Sequence, residues 1–175
     1  MSLAGPPSIA VKLTWPEVTL AAHAGVMRQV HALGSHLADR HGYDGAGWDT
    51  HILGALGEMA FCKAFGLYWK PTVNTFKSPD VGATIEIRAR HRHSHELILR
   101  PDDKFERTFV LVTGAPPILR VRGWINGSEC QRDEWWAEHG NRPGAWFVAQ
   151  DALHPPDDLN IEPIIASIIG ERDVA

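Results

Sequence analysis

The chain has few cysteines and no long apolar segment. Only two of its 175 residues are cysteines, Cys62 and Cys130, and they lie far apart in the sequence. This excludes a disulfide framework and a four-cysteine zinc site, and it favours reduced thiols in the cytoplasm. No segment reaches the roughly 18 apolar residues of a transmembrane helix, and the N-terminus lacks the basic and apolar regions of a signal peptide. We therefore expect a cytoplasmic protein without a membrane partner.

Basic residues do not dominate the chain, whose formal net charge is −4. This charge argues against a protein whose main task is to coat nucleic acid, because such binding depends on Lys and Arg facing phosphate. An enzyme that acts on nucleic acid is still compatible with it. One sector is basic and also contains three histidines. Its cationic side chains are Arg88, Arg90, Arg92, Arg100, Lys104 and Arg107.

Length and composition predict one domain over residues 1–175, since 44% of the residues are hydrophobic. A capping box in residues 14–17 predicts a first helix over about 15–40. Its apolar stripe is expected to face a core. Asp49 or Thr50 caps a second helix that ends near Phe65, so two helices precede any strand. The stripe consists of Leu20, Ala24, Met27, Val30, Leu33 and Leu37.

The periodicity changes to that of strands from Thr84 onward. A short helix is expected within Glu129 to Gly144, and a terminal helix over Ile161 to Ile169, in a C-terminal tail (156–175) expected to be partly mobile. The predicted class is α/β, or α+β by some schemes, with a mixed central sheet flanked by helices. The predicted strands are Thr84 to Arg90, His95 to Arg100, Thr108 to Thr113, Ile118 to Ile125 and Ala145 to Ala149.

A lone carboxylate, Glu58, lies inside the almost wholly apolar segment Ile52 to Ala64. Burying an ionised carboxylate costs several kcal/mol, on the order of the penalty for any buried ion, unless a cation, a metal or hydrogen bonds compensate it. One interpretation is that Glu58 emerges at the rim of its helix and pairs with Lys63 or with an arginine of the sheet. We favour a role in a metal site, because further acids follow about twenty residues later.

Asp80 and Glu86 are those acids: Asp80 lies in a Pro-Asp-Val-Gly turn, and Glu86 lies on the polar face of a strand. Two such carboxylates suit a hard divalent cation such as Mg²⁺, and Glu58 would complete the set. Arg88 shares the face of Glu86, where it can stabilise charge on phosphate oxygens. Considered singly, Asp80 is interpreted as an ordinary turn residue, and Glu86 with Arg88 as an ordinary salt bridge on a solvated face.

Glu58, then Pro79-Asp80, then Glu86-Ile87-Arg88 resembles the PD-(D/E)XK nuclease superfamily, which has the restriction-endonuclease-like fold. The later segments are similar to the closing region of small phage- and prophage-type members, and the resemblance covers about residues 50–155. Those segments are Val121-Arg122-Gly123-Trp124-Ile125-Asn126-Gly127, Phe147-Val148-Ala149-Gln150 and Leu153-His154-Pro155.

The resemblance implies a Mg²⁺-dependent nuclease, with Mn²⁺ as a substitute, that hydrolyses DNA phosphodiester bonds with metal-activated water. It leaves open whether identical chains associate. It implies a metal held by Glu58, Asp80, Glu86 and the Ile87 carbonyl, catalysis by Asp80, Glu86 and Arg88, and nucleic-acid contacts from Arg90, Arg92 and Gln150.

The chain departs from the superfamily at Arg88, which stands where a lysine is usual. An arginine has a pKa above roughly 12 and does not accept a proton at neutral pH, so another group must do so. The alternative hypothesis is therefore an inactive nuclease-fold module that binds nucleic acid or protein. A third hypothesis is a zinc protein organised by His91, His93 and His95, which alternate in the sequence.

Overall fold

The computed structural model describes residues 7–35, 47–73, 78–140 and 142–170. Within these ranges the chain forms three α-helices and seven β-strands. None of these helices is long and apolar enough to cross a membrane. The elements are β1 (Ile9–Lys12), α1 (Trp15–Gly34), α2 (Gly47–Ala64), β2 (Ile85–Arg90), β3 (Leu97–Leu99), β4 (Thr108–Ala115), β5 (Ile118–Asn126), β6 (Trp136–Ala137), β7 (Ala145–Val148) and α3 (Glu162–Gly170).

The strands form two sheets, and the larger one is mixed. Its strand order is β1-β5-β4-β2, so β1 and β2 are its edges. β2 runs parallel to β4, while β5 is antiparallel to both β4 and β1. The smaller sheet, with the order β3-β7-β6, is antiparallel. The chain is thus a mixed fold of the α+β type, as the change of periodicity predicted.

The large sheet is covered on both faces by different elements. On one face, Ile87, Val110 and Val112 pack with helix residues such as Phe61 in the first hydrophobic core. On the other face, Phe109 and Leu111 pack with the small sheet in a second core. Alternate residues of β4 therefore belong to alternate cores, as the period of two in a strand requires.

The expectation that two helices precede the sheet is wrong, because β1 comes before α1. β1 pairs with β5, and Ile9 lies opposite Val121. Of its four residues only Val11 is fully buried. A strand this short at a sheet edge shows too little alternation to be recognised in the sequence.

The first helix begins as predicted but buries a different face. Thr14 and Glu17 form the expected capping box. The large residues of the predicted stripe are exposed, and the buried face carries small residues, because α1 lies very close to α2. A Cβ on Gly25 would lie 2.5 Å from Ile52 Cα, which leaves no room for a larger side chain. The helix ends at Gly34, so its predicted extent to about residue 40 is wrong. The exposed residues are Leu20, Met27, Val30 and Leu33; Leu37 lies outside the described residues.

The strands predicted from Thr84 onward are confirmed within a few residues of their bounds. No α-helix forms in the described part of residues 129–144, where 3₁₀ turns and β6 replace the expected short helix. The terminal helix α3 is confirmed, and its Ile164 is buried in the first core. That contact ties the end of the described chain to the central sheet.

Two glycines of α2 provide a test of how closely this helix packs on the sheet. A Cβ on Gly57 would lie 2.7 Å from the Ala89 Cβ of β2, whereas a Cβ on Gly54 meets nothing within 4 Å. We expect Gly57→Ala to lower the free energy of unfolding by about 1–3 kcal/mol through overpacking. Gly54→Ala, the matched control, should raise it by up to about 1 kcal/mol through helix propensity. Urea titration measures both, and equal effects would contradict the packing.

Candidate functional site

Glu58 is buried and is held by an arginine from the other helix. Only 4% of Glu58 is exposed. Arg28 of α1 donates to both carboxylate oxygens, with Nη1 2.5 Å from Oε1 and Nη2 2.8 Å from Oε2. Trp69 Nε1 also donates to Oε2 at 3.2 Å, and Arg28 Nε donates to the Thr72 carbonyl at 2.8 Å. This bidentate geometry is the strong form of the arginine–carboxylate contact.

The charge of Glu58 therefore has a partner that the sequence did not indicate. Its partner is neither Lys63 nor an arginine of the sheet. Lys63 instead pairs with Glu17 at 2.7 Å near the surface. Burial lowers the pKa of Arg28, but hydrogen bonding and attraction to Glu58 outweigh this and leave the pKa raised. Arg28 therefore stays ionised across the physiological range.

Asp80 lies at the free edge of the large sheet. The Thr84 carbonyl accepts a hydrogen bond from the Thr108 N–H of β4. The backbone N–H and C=O groups of even-numbered residues of β2 therefore point toward β4, and those of odd-numbered residues point toward the free edge. Ile87 is odd-numbered, and its N–H at the free edge donates to Asp80 Oδ2 at 2.7 Å. The chain folds back here, because Val81 bridges to Ile85. Since the N–H and C=O of a strand residue point the same way, the Ile87 carbonyl also faces this edge.

Asp80 lies close to two other carboxylates. Burial, followed by the charges of Glu58 and Glu86, raises its pKa from 3.8 to about 7. The Ile87 N–H and Arg88 oppose that rise with smaller effects. The described residues form no ion pair to Asp80, unlike Glu58 and Glu86. This edge of the sheet is therefore a place where negative charge is left without a directly bound cation.

Glu86 and Arg88 lie on the face of β2 that is opposite to α2, and both have charged partners. Arg107 Nη1 donates to Glu86 Oε1, while Arg88 Nη1 lies 3.4 Å from Glu86 Oε2. Arg88 Nη2 donates to Asp103 Oδ1 at 2.6 Å. Its guanidinium also lies 5.1 Å from the centre of the Phe109 ring. The predicted contact of Glu86 with Arg88 thus exists, within a larger network.

A pocket of about 490 Å³ opens beside Asp80. Its polar lining comes from Lys70, Thr72 and Ser78, in addition to Asp80 itself. Cys62 lies in its wall as a buried thiol, whose pKa burial raises to about 12. The pocket is large enough for a small polar ligand, and its acid is Asp80.

The predicted metal ligands fit a cation in part. In the described ranges no three His, Cys, Asp or Glu side chains form a group that could hold a metal ion. Mg²⁺ nevertheless often takes only one or two carboxylates, with water and phosphate oxygens completing the set. Asp80 and the Ile87 carbonyl offer hard oxygens, and each Glu86 oxygen has a second acceptor position. Glu58 fits least, since Arg28 and Trp69 already use three of its acceptor positions.

The residues predicted to contact nucleic acid lie away from Asp80, around the turn that follows β2. Arg90 Nε lies 3.4 Å from His95 Nδ1, and Arg92 is exposed. Gln150 Nε2 donates to the carbonyls of His93 and His95, both at 2.7 Å. Gln150 therefore holds this turn in place, and its expected contact with nucleic acid stays a prediction.

The three histidines do not share a strand face, because residues 91–94 form bends and turns after β2. His93 Nδ1 lies 3.1 Å from Thr113 Oγ1, and His95 contacts Arg90. His91 is exposed. Their side chains thus have separate neighbours, and the third hypothesis, a zinc site built on them, has no geometric support in this part of the chain.

The sequence did not identify three partners in this network, namely Arg28, Arg107 and Asp103. Arg28 is 30 residues from Glu58, and nothing in the spacing relates them. Arg107 stood out only as a member of a basic sector, and no pattern in the sequence singled out Asp103. Comparison of the chain with protein-family models, with curated proteins and with solved structures finds no match in any of the three.

Proposed function

We propose that this protein is a Mg²⁺-dependent nuclease that hydrolyses DNA phosphodiester bonds beside Asp80. The observation that carries the proposal is the position of the Asp80 carboxylate, at the free edge of β2 between Glu58 and Glu86 and in the wall of a pocket. A divalent cation at this edge would compensate the negative charge that the described residues leave without a directly bound partner.

Asp80, Glu86 and the Ile87 carbonyl would hold the metal, which supplies Lewis acidity and lowers the pKa of coordinated water. Ile87 N–H fixes the orientation of the Asp80 carboxylate. Arg88, oriented by Asp103, would stabilise charge on the phosphate oxygens. Because Arg88 does not accept protons, its part is electrostatic and the proton must leave by another group.

The test is cleavage of labelled single- and double-stranded DNA with Mg²⁺ or Mn²⁺. We expect Asp80→Asn to lower the cleavage rate by about 100-fold or more, the scale seen when a group that stabilises the transition state is removed. Asp157→Asn, at an exposed turn and purified identically, should cleave like the unchanged protein and controls for contaminating nucleases. Cleavage that survives Asp80→Asn would refute the assignment.

A second candidate is a nuclease-fold module that binds nucleic acid or protein without cleaving it. It is favoured by the arginines on Glu58 and Glu86, which supply internally the positive charge that a metal would otherwise bring. In this case the protein shows no phosphodiester cleavage and no heat of Mg²⁺ or Mn²⁺ binding by calorimetry. A measurable metal affinity that is lost in Asp80→Asn would exclude this candidate.

A further inference from the structure

Cross-strand register places arginines from separate strands in one row on the large sheet. Arg90 of β2 lies opposite Thr113 of β4, and Thr113 lies opposite Arg120 of β5. Residues in register share a face, and two strand spacings separate Arg90 from Arg120 by roughly 10 Å. The small sheet packs on Phe109, Leu111 and Ile125, toward the other end of these strands.

A β-bulge adds Arg122 to the same row. Leu111 pairs with Gly123 and Val112 with Val121, so Arg122 is an extra residue of β5 without a partner in β4. Such bulges redirect a side chain. Arg122 Nε donates to Thr113 Oγ1 at 2.8 Å, and its Nη2 lies 3.3 Å from the His93 carbonyl. Arg122 therefore lies against both the sheet and the turn after β2.

That turn brings a further arginine and two histidines to the end of the row. We define the basic face as Arg90, Arg92, Arg120, Arg122, His93 and His95. Gln150 fixes the turn through the two carbonyl contacts described above. Three features of the fold hold the basic face in place: the buried Thr113, the β-bulge at Arg122 and the turn that Gln150 fixes.

The arginines of the basic face differ from those near Asp80 in having no acidic partner among the described residues. Arg28, Arg88 and Arg107 each pair with a carboxylate. No ion pair within 4 Å involves Arg90, Arg92, Arg120 or Arg122 among the described residues. Burial and the charges of Arg122 and Arg120 lower the pKa of His93, which is the response expected of mutually repelling cations. Glu96 is the one acid that raises the pKa of Arg90.

We propose that the basic face binds the phosphate backbone of a nucleic acid. Uncompensated guanidinium groups gathered on one surface of a protein with net charge −4 are complementary to a polyanion. The choice of nucleic acid over another polyanion rests on the proposed function. The binding itself requires no metal and no hydrolysis, and it adds Arg120, Arg122 and His93 to the expected contacts.

The experiment measures fluorescence anisotropy of a labelled DNA oligonucleotide in EDTA, so that a failure to bind and a failure to cleave are observed separately. We expect Arg120→Gln with Arg122→Gln to weaken binding by at least 10-fold. The slope of log affinity against log salt should fall by about 1.4–1.8, because two phosphate contacts are lost. Arg132→Gln is the matched control, since Arg132 is exposed and pairs with Glu134 outside the basic face.

Two further arms keep the test decisive. Because Arg122 also bonds Thr113, Arg92→Gln repeats the test at an exposed side chain and should weaken binding without lowering the melting temperature. Vesicles containing phosphatidylserine test an anionic lipid surface as the alternative partner. Unchanged DNA binding in the double variant, an equal loss in Arg132→Gln, or tighter binding to vesicles than to DNA would each overturn the proposal.

Discussion

Replacing Glu58 with alanine is expected to lower the free energy of unfolding by about 3–5 kcal/mol, the cost of leaving one member of a buried ion pair without its partner. Arg28 would keep its charge with only 16% of its side chain exposed, and it would lose two hydrogen bonds. Trp69 Nε1 would lose its acceptor as well. Urea-induced unfolding followed by tryptophan fluorescence measures the change.

The exposed pair of Arg132 and Glu134 provides the control. Their side chains are 57% and 65% exposed and 3.6 Å apart, so Glu134→Ala should cost no more than about 1 kcal/mol. Replacing both members of the buried pair, Arg28→Met with Glu58→Met, should cost less than Glu58→Ala alone, because no charge is then left unpaired. Stabilisation of the unchanged protein by Mg²⁺, absent in Glu58→Ala, would instead show that a metal is the partner of Glu58.

Asp80→Asn is expected to stabilise the protein at pH 8 by about 2–4 kcal/mol, since a shift of one pKa unit corresponds to about 1.4 kcal/mol. The pKa of Asp80 is about 7 in the folded protein and ordinarily 3.8. Between these values the folded protein binds more protons than the unfolded chain, so stability falls as the pH rises through this window. Asparagine removes the charge and still accepts the hydrogen bond from Ile87 N–H.

The difference in free energy of unfolding between Asp80→Asn and the unchanged protein should nearly vanish at pH 4, where Asp80 is largely protonated in the folded state. Urea titrations at pH 4 and pH 8 therefore give the measurement, and Asp157→Asn, at an exposed turn, should show no such difference between the two pH values. A stabilisation of equal size at both pH values would show that the effect does not come from the ionisation of Asp80. A residue that destabilises the fold by its charge is typical of a functional position.

Local patterns predicted much of the fold because they report local physics. The capping box of Thr14 and Glu17 and the alternation of β2 follow from hydrogen bonding and side-chain period within a few residues. The buried face of α1 could not be predicted in this way. The expectation favoured its large apolar residues, but Gly25 and its small neighbours are buried, since the distance between α1 and α2 is set by tertiary packing.

In the candidate site, too, local patterns could be predicted from the sequence and tertiary contacts could not. The order of Glu58, Asp80 and Glu86 drew attention to three acids whose charges do interact, with Asp80 in the middle. Their cations come from remote positions, Arg28 on α1 and Arg107 before β4, and only the folded chain brings them together. A single sequence contains no signal for such pairs.

The folded-back segment at Asp80 also hinders association of the protein with a second chain through the free edge of β2. β2 is an edge strand, and an open edge presents N–H and C=O groups to which a second chain can add. Here the backbone of Asp80 and Val81 pairs with Ile85, and the Asp80 side chain takes the next outward N–H, that of Ile87. The position of one carboxylate thus hinders strand addition at this edge, so the same turn that places an acid in the pocket wall also disfavours edge-to-edge aggregation.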